Sequence, residues 1–188
     1  MRPEQIMRVN VKPNTYIYLV LLMFLVPIKW LAAWLLAVSF HELCHWAAVK
    51  LCGGEIFELA VGIGGAKMEC GPLTNGKRLL AVLSGPIGGL ALVLLGRWLP
   101  RTALCSWLLS IYNLLPLRPL DGGRALEILL GQRPAFAFIE KLILILMSTA
   151  ALYGAIILHF GLLPLAIMAG LWLKHRKSPC TPHVCRVQ

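Results

Sequence analysis

The chain has 188 residues, 59% of them hydrophobic and 14% charged, with a mean hydropathy of +0.76 and a formal net charge of +10. A soluble domain of this length has too little interior to hide so much apolar surface, which excludes a water-soluble globular protein and makes lipid the solvent for most of the chain. The basic residues are spread between apolar runs, so they read as flanks of membrane spans and not as a nucleic-acid-binding patch.

Residues 1–14 are polar and basic, and no small-residue cleavage site follows the first apolar run, so no cleavable signal peptide is expected. A spanning helix needs about 20 residues. Apolar runs fall at 15–28, 30–51, 79–96, 102–117, 139–158 and 161–173. Pro27 and Lys29 separate the first two, and "GRWLPR" at 96–101 separates the third and fourth. The break at "HFG", 159–161, is the weakest; residues 142–173 read alternatively as one span plus a re-entrant piece, because the last run is short and contains Pro164. With both termini in the cytoplasm, the inside segments carry fourteen Lys and Arg, and the outside turns carry only Lys29, Arg97 and Arg101. That asymmetry satisfies the positive-inside rule. The expectation is an all-α polytopic membrane protein with about six transmembrane helices. It forms a single membrane-embedded domain over 1–188, with a short basic cytoplasmic tail at 174–188 and no PDZ or CBS domain.

Between the second and third runs lies "GGEIFELAVGIGGAKMECG", 53–71, too polar to span. Ile56, Glu58 and Ala60 alternate with Phe57, Leu59 and Val61, and glycines follow. This predicts a short membrane-associated β-hairpin, with a plain surface loop as the alternative. A strand beside a site on the second helix would offer an open edge. Ile56, Phe57, Glu58, Leu59, Ala60 and Val61 are therefore candidate substrate-positioning residues, acting by strand addition. Six cysteines stand at 44, 52, 70, 105, 180 and 185. Those in apolar runs behave as small hydrophobes. Cys180 and Cys185 flank His183 in a tail too short to scaffold a metal site.

The second run ends in "AVSFHELCHWAAVK", 37–50, which holds His41-Glu42-Leu43-Cys44-His45. On a helix His41 and His45 face the same way and both reach one Zn²⁺; Glu42 lies close to that face and is placed to take a proton from a water on the metal. Zn²⁺ lowers the pKa of such a water from about 15.7 to near 7. Histidine and glutamate inside an apolar span are costly, and their default reading is functional. A third protein ligand is needed. The metzincin continuation is absent, since Ala48 and Leu51 stand where its glycine and third histidine would fall. Glu55, Glu58 and Glu69 lie in the loop, and Glu127 and Glu140 in or near basic stretches. Asp121 stands out as the only Asp of the chain, in "NLLPLRPLDGGR", 113–124, at the cytoplasmic end of the fourth run. Pro116 and Pro119 break the helix there, and Gly122 and Gly123 would let the backbone turn closely beside a metal. Two imidazoles and one carboxylate around Zn²⁺ leave one net positive charge, far cheaper to hold in low dielectric than a bare dication.

Together the two motifs resemble the site-2 protease family of intramembrane zinc metalloproteases. His41-Glu42-Leu43-Cys44-His45 matches its H-E-x-x-H, and Asn113, Pro116, Asp121 and Gly122 match its N-x-x-P-x-x-x-x-D-G. "SGPIGG" at 84–89 is similar to the family's small-residue helix between the motifs. "VNVKPNTYIYL" at 9–19 and "LPLRPLDGGR" at 115–124 resemble the small subgroup that includes the stage IV sporulation FB protease. The resemblance implies one Zn²⁺ per chain held by His41, His45 and Asp121, with Glu42 as the base. It implies that Asn113 positions substrate or stabilises the oxyanion. It further implies membrane-embedded protein substrates, such as a precursor sigma factor in sporulation, and membrane inhibitor proteins as partners. Cys44 stands where the family often has glycine. Two other classes compete. A zinc-binding transporter or sensor would explain the ligands but gives Glu42 no task. A helix-binding pseudoprotease would need neither Glu42 nor Asp121.

Overall fold

Helix α1 (Ile28–Leu51) begins directly after Pro27, whose carbonyl accepts from the amides of Trp30 and Leu31 at 2.8 and 3.1 Å. The structure, a computed structural model, describes residues 8–11, 16, 20, 22–24, 26–62, 65–118, 120–131, 134–156, 168–170, 172–173 and 185–187. Along α1 the residues Ala33, Ala37, His41, His45 and Val49 are buried, one every fourth position. That spacing keeps them on one face, so the two histidines continue a stripe that begins with alanines. The helix ends in a Schellman motif. Gly53 takes a positive φ of 77°, its amide bonds the Lys50 carbonyl, and the Gly54 amide bonds the Val49 carbonyl, both at 2.9 Å. Lys77 Nζ donates to the Cys52 carbonyl at 2.9 Å, which places a cation at the negative end of the helix.

The chain then enters a four-stranded sheet of order β1-β2-β3-β4. Strand β2 (Ile56–Gly62) pairs antiparallel with β3 (Gly65–Cys70). Strand β1 (Arg8–Val11) pairs parallel with β2, and β4 (Cys185–Val187) antiparallel with β3. The expected all-α class thus gains a sheet that draws strands from near both ends of the chain. Ile56, Met68 and Cys70 bury one face of it against Val49 of α1 and Ala81 of the next helix. The register runs Arg8–Glu58–Glu69–Arg186 across all four strands. Two glutamates directly opposite one another are unfavourable.

Helix α2 (Asn75–Leu92) continues as a 3-10 turn over Val93–Arg97, and α3 (Pro100–Leu114) follows. Small residues fill the α1–α2–α3 contacts. Ala81, Gly85, Pro86 and Gly89 are buried on α2, and Thr102, Ala103, Ser106 and Ser110 on α3. Ser106 Oγ donates to the Gly89 carbonyl at 2.8 Å. In lipid, where no hydrophobic force acts between helices, close approach and hydrogen bonding of this kind would supply the cohesion.

Residues 1–114 with 182–188 form one compact unit and residues 115–181 a second. The second holds α4 (Asp121–Leu130), which ends at Gly131 with φ 68°, and α5 (Pro134–Ile156). Among the described residues, three helices are long and apolar enough to cross a membrane: Ile28–Leu51, Asn75–Arg97 and Phe136–Tyr153. Helix α3 has 15 residues, about 22 Å of rise; it stops at Leu114, ahead of Pro116, three residues short of the end of the apolar run at 117. The expected span at 161–173 lies mostly outside the described residues and that at 15–28 in part, while Cys180, His183 and Pro119 lie outside them.

Candidate metal centre

His45 is fully buried, and its Nδ1 lies 2.7 Å from the carbonyl oxygen of Ala81 on α2. A carbonyl only accepts, so Nδ1 carries the proton and Nε2 presents a lone pair. His41, 3% exposed, brings its Nε2 to 3.2 Å from that of His45, with the ring planes 82° apart. Zinc–imidazole bonds of 2.0–2.1 Å in a tetrahedron set the two nitrogens about 3.3 Å apart. The pair therefore fits a shared Zn²⁺ by distance, and His45 has the outer carbonyl partner that fixes a ligating tautomer.

Glycines on α2 make this possible. A Cβ built on Gly85 would fall inside the His45 ring, and one on Gly88 would meet Cys44 Sγ. Cys44 thus fills the space left by Gly88. The close packing expected from a glycine at 44 is supplied from the facing helix instead. Ser84 Oγ donates to the Ala81 carbonyl at 2.8 Å and also lies 3.1 Å from the Cys44 carbonyl, tying the two helices beside the ring. Glu42 is half-buried on α1, one position past His41. Asn113 is half-buried in the last turn of α3.

Asp121 is 1% exposed and occupies the first turn of α4, where the helix N-terminus favours a carboxylate. The two glycines after it do not form a free turn. They lie inside α4, and Gly123 packs on the Leu117 carbonyl, which a Cβ would overlap. The turn before α4 is held by the Leu120 amide on the Leu117 carbonyl at 2.8 Å.

Three of the other acids weighed as ligands lie in or beside the sheet. Glu58 and Glu69 face each other in the sheet register, and Glu55 is exposed just before β2. Glu140, 1% exposed on α5, forms a bidentate ion pair with Arg118. Removing one partner of a wholly buried pair costs about 3–5 kcal/mol; Arg118 is 21% exposed, which favours the lower end. Sequence reading missed this pair because nothing local links positions 22 residues apart.

The candidate substrate-positioning residues need correction. Glu58–Val61 are paired on one side with Arg8–Val11 and on the other with Ala66–Glu69, so this strand has no open edge there. Ile56 is a core residue, and Phe57 stands exposed at a register shift between Ile56 and Glu58. A substrate strand at Ile56–Val61 would have to replace β1. The segment is an inner strand, and the register shift at Phe57 breaks its alternation, so that Ile56 and Leu59 both pack on the helix-facing cluster.

The model of peptidase family M50 matches residues 70–154. That segment is less than half of the chain; it contains Asn113 and Asp121 but not His41, Glu42 or His45. No curated protein matches in sequence. Among solved structures, the site-2 protease from Methanocaldococcus jannaschii is similar, with a TM-score of 0.64 and 20% identity, covering 96% of this chain and 96% of that one. The chain therefore has the fold of that protein.

Proposed function

We propose that this chain is an intramembrane zinc endopeptidase of the site-2 protease type, cutting membrane-associated proteins near the cytoplasmic face. The observation that carries this reading is the convergence of the His41 and His45 Nε2 atoms on a buried helix stripe, with the His45 proton held on Nδ1 by Ala81. The shared fold and the M50 match over 70–154 support it.

In this reading Asp121 is the third ligand. His41, His45 and Asp121 are all buried, and each offers one donor atom: two ring nitrogens and one carboxylate oxygen. That is a common catalytic zinc set. When bound, zinc supplies a Lewis-acid charge that polarises a carbonyl and acidifies water. Glu42 takes the proton of the attacking water and returns it to the departing amine. Asn113 donates a hydrogen bond to the oxygen that becomes negative as the carbonyl is attacked. The resemblance of 9–19 and 115–124 to the stage IV sporulation FB subgroup makes a precursor sigma factor a candidate substrate, and membrane inhibitors candidate partners.

Asp121→Asn is expected to lower zinc affinity by more than about 100-fold, beyond the 10–100-fold typical of losing an outer partner. Proteolysis should fall in step. Metal analysis of the purified variant, together with cleavage of a membrane-embedded precursor, checks both. A fully zinc-loaded, active variant would remove Asp121 from the ligand set.

Both ends of the chain are read as cytoplasmic. The pairing of β1 and β4 into one sheet supports a common side, since strands cannot pair across a bilayer. Reporters fused at Met1 and Gln188 should both signal the cytoplasm, and opposite signals would exclude the arrangement.

A further inference from the structure

We propose that Glu140 is a positioning residue that fixes where the Asp121 carboxylate stands. The inference rests on the reading of Asp121 as a zinc ligand and adds the group that holds it in place.

Glu140 does more than pair a charge. Its Oε1 accepts from the main-chain N–H of Arg118 at 2.7 Å. Both carboxylate oxygens accept from Arg118 Nε at 3.1 Å, and Oε2 accepts from Nη2 at 2.7 Å. The guanidinium lies over the Phe136 ring, 4.9 Å from its centre. Phe136 and Glu140 are four residues apart on α5 and share one face, and both are buried. A guanidinium–carboxylate fork has fixed geometry, so the side chain of Arg118 is locked. The bond to the amide N–H locks its backbone as well.

That locked amide belongs to the Leu117–Arg118 peptide, the same peptide on which Gly123 packs. A Cβ on Gly123 would overlap the Leu117 carbonyl and lie 2.6 Å from Arg118 N. The Leu117 carbonyl also accepts from the Leu120 amide. One peptide plane is thus gripped from α5 by Glu140 and from α4 by Gly123. Asp121 follows three residues later, at the start of α4. An ion pair serving stability alone would not need the main-chain bond. With it, a shift of Glu140 moves the first turn of α4 and the carboxylate that turn carries.

The test uses the full chain purified in detergent, with zinc affinity measured against a chelator and the visible absorption of the cobalt-substituted protein recorded. Glu140→Gln keeps the shape but loses the charge and one acceptor oxygen. Its zinc affinity should fall at least about tenfold, and its cobalt bands should shift, because they report ligand geometry. Phe138→Ala, an exposed position on the same helix, should leave both unchanged. Asp121→Asn is measured beside them. If Asp121→Asn loses zinc while Glu140→Gln keeps parental affinity and bands, the positioning role is overturned. If Asp121→Asn keeps zinc, the underlying ligand assignment fails instead. Should Glu140→Gln not fold, Glu140→Asp retracts the carboxylate by one methylene; shifted bands with weakened zinc support the proposal, and unchanged ones overturn it.

Discussion

Glu42→Gln is expected to lower peptide-bond hydrolysis by about 10²–10⁴-fold, the contribution typical of a positioned general base, while the zinc content stays at the parental level. Successive helix positions are about 100° apart, which puts position 42 about 60° from the direction of His45. Glu42 is therefore beside the buried stripe of His41 and His45 and not on it, and it is half-buried where they are buried. That location suits a group that exchanges a proton with water and suits a metal ligand less well. Glutamine keeps the volume and the hydrogen-bonding length but takes up no proton. Metal analysis and the cleavage assay, run on one preparation, separate the roles. Loss of zinc in parallel with activity would make Glu42 a ligand or a structural group, and unchanged cleavage would remove Glu42 from the role of base.

Gly85→Ala should disable the site without replacing any proposed ligand. The added methyl would occupy the space of the His45 ring, where no real Cβ contact is found. Either α1 and α2 separate or the ring swings away from the Ala81 carbonyl. Overpacking of this kind costs about 1–3 kcal/mol. Taken from the position of His45, that corresponds to roughly 5- to 150-fold in zinc affinity. Gly96→Ala is the matched control, because its Cβ would make an ordinary 3.4 Å contact with Ala103. The expected result is zinc-depleted Gly85→Ala beside zinc-replete Gly96→Ala. Equal zinc in both would mean that His45 does not lie against Gly85.

The parts of the site that were legible in the sequence are those set by short spacing. Four residues on a helix bring His41 and His45 to one face whatever surrounds them, and the Nε2 atoms stand 3.2 Å apart. Pro116 announces the end of α3 at Leu114 because the residue before a proline disfavours helix. What was not legible depends on partners distant in sequence. Ala81 offers only a main-chain carbonyl, which no residue type encodes. The reason for Gly85, Gly88 and Gly123 lies in the atoms opposite them. Glu140 read as one more acid near basic residues until Arg118 was seen against it. The alternation at 56–61 showed a strand, but no local pattern announces the register shift that brings Ile56 and Leu59 to the same cluster, or tells an inner strand from an edge. That difference came from four residues near the start of the chain.

The sheet also constrains how many times this chain passes through a bilayer in the proposed orientation. Its first and last strands, Arg8–Val11 and Cys185–Val187, are members of one sheet. A path that leaves one side and returns to it makes an even number of crossings. The same parity holds for each portion between strands of that sheet: from Val11 to Ile56, and from Cys70 to Cys185. Among the described residues, three helices meet the length and hydropathy of a span, which is an odd number. If all three cross, at least one further crossing lies elsewhere in the chain. Six passes satisfy the count and five do not, so any deletion that removes a single pass must break the sheet or strand one of its ends on the wrong side.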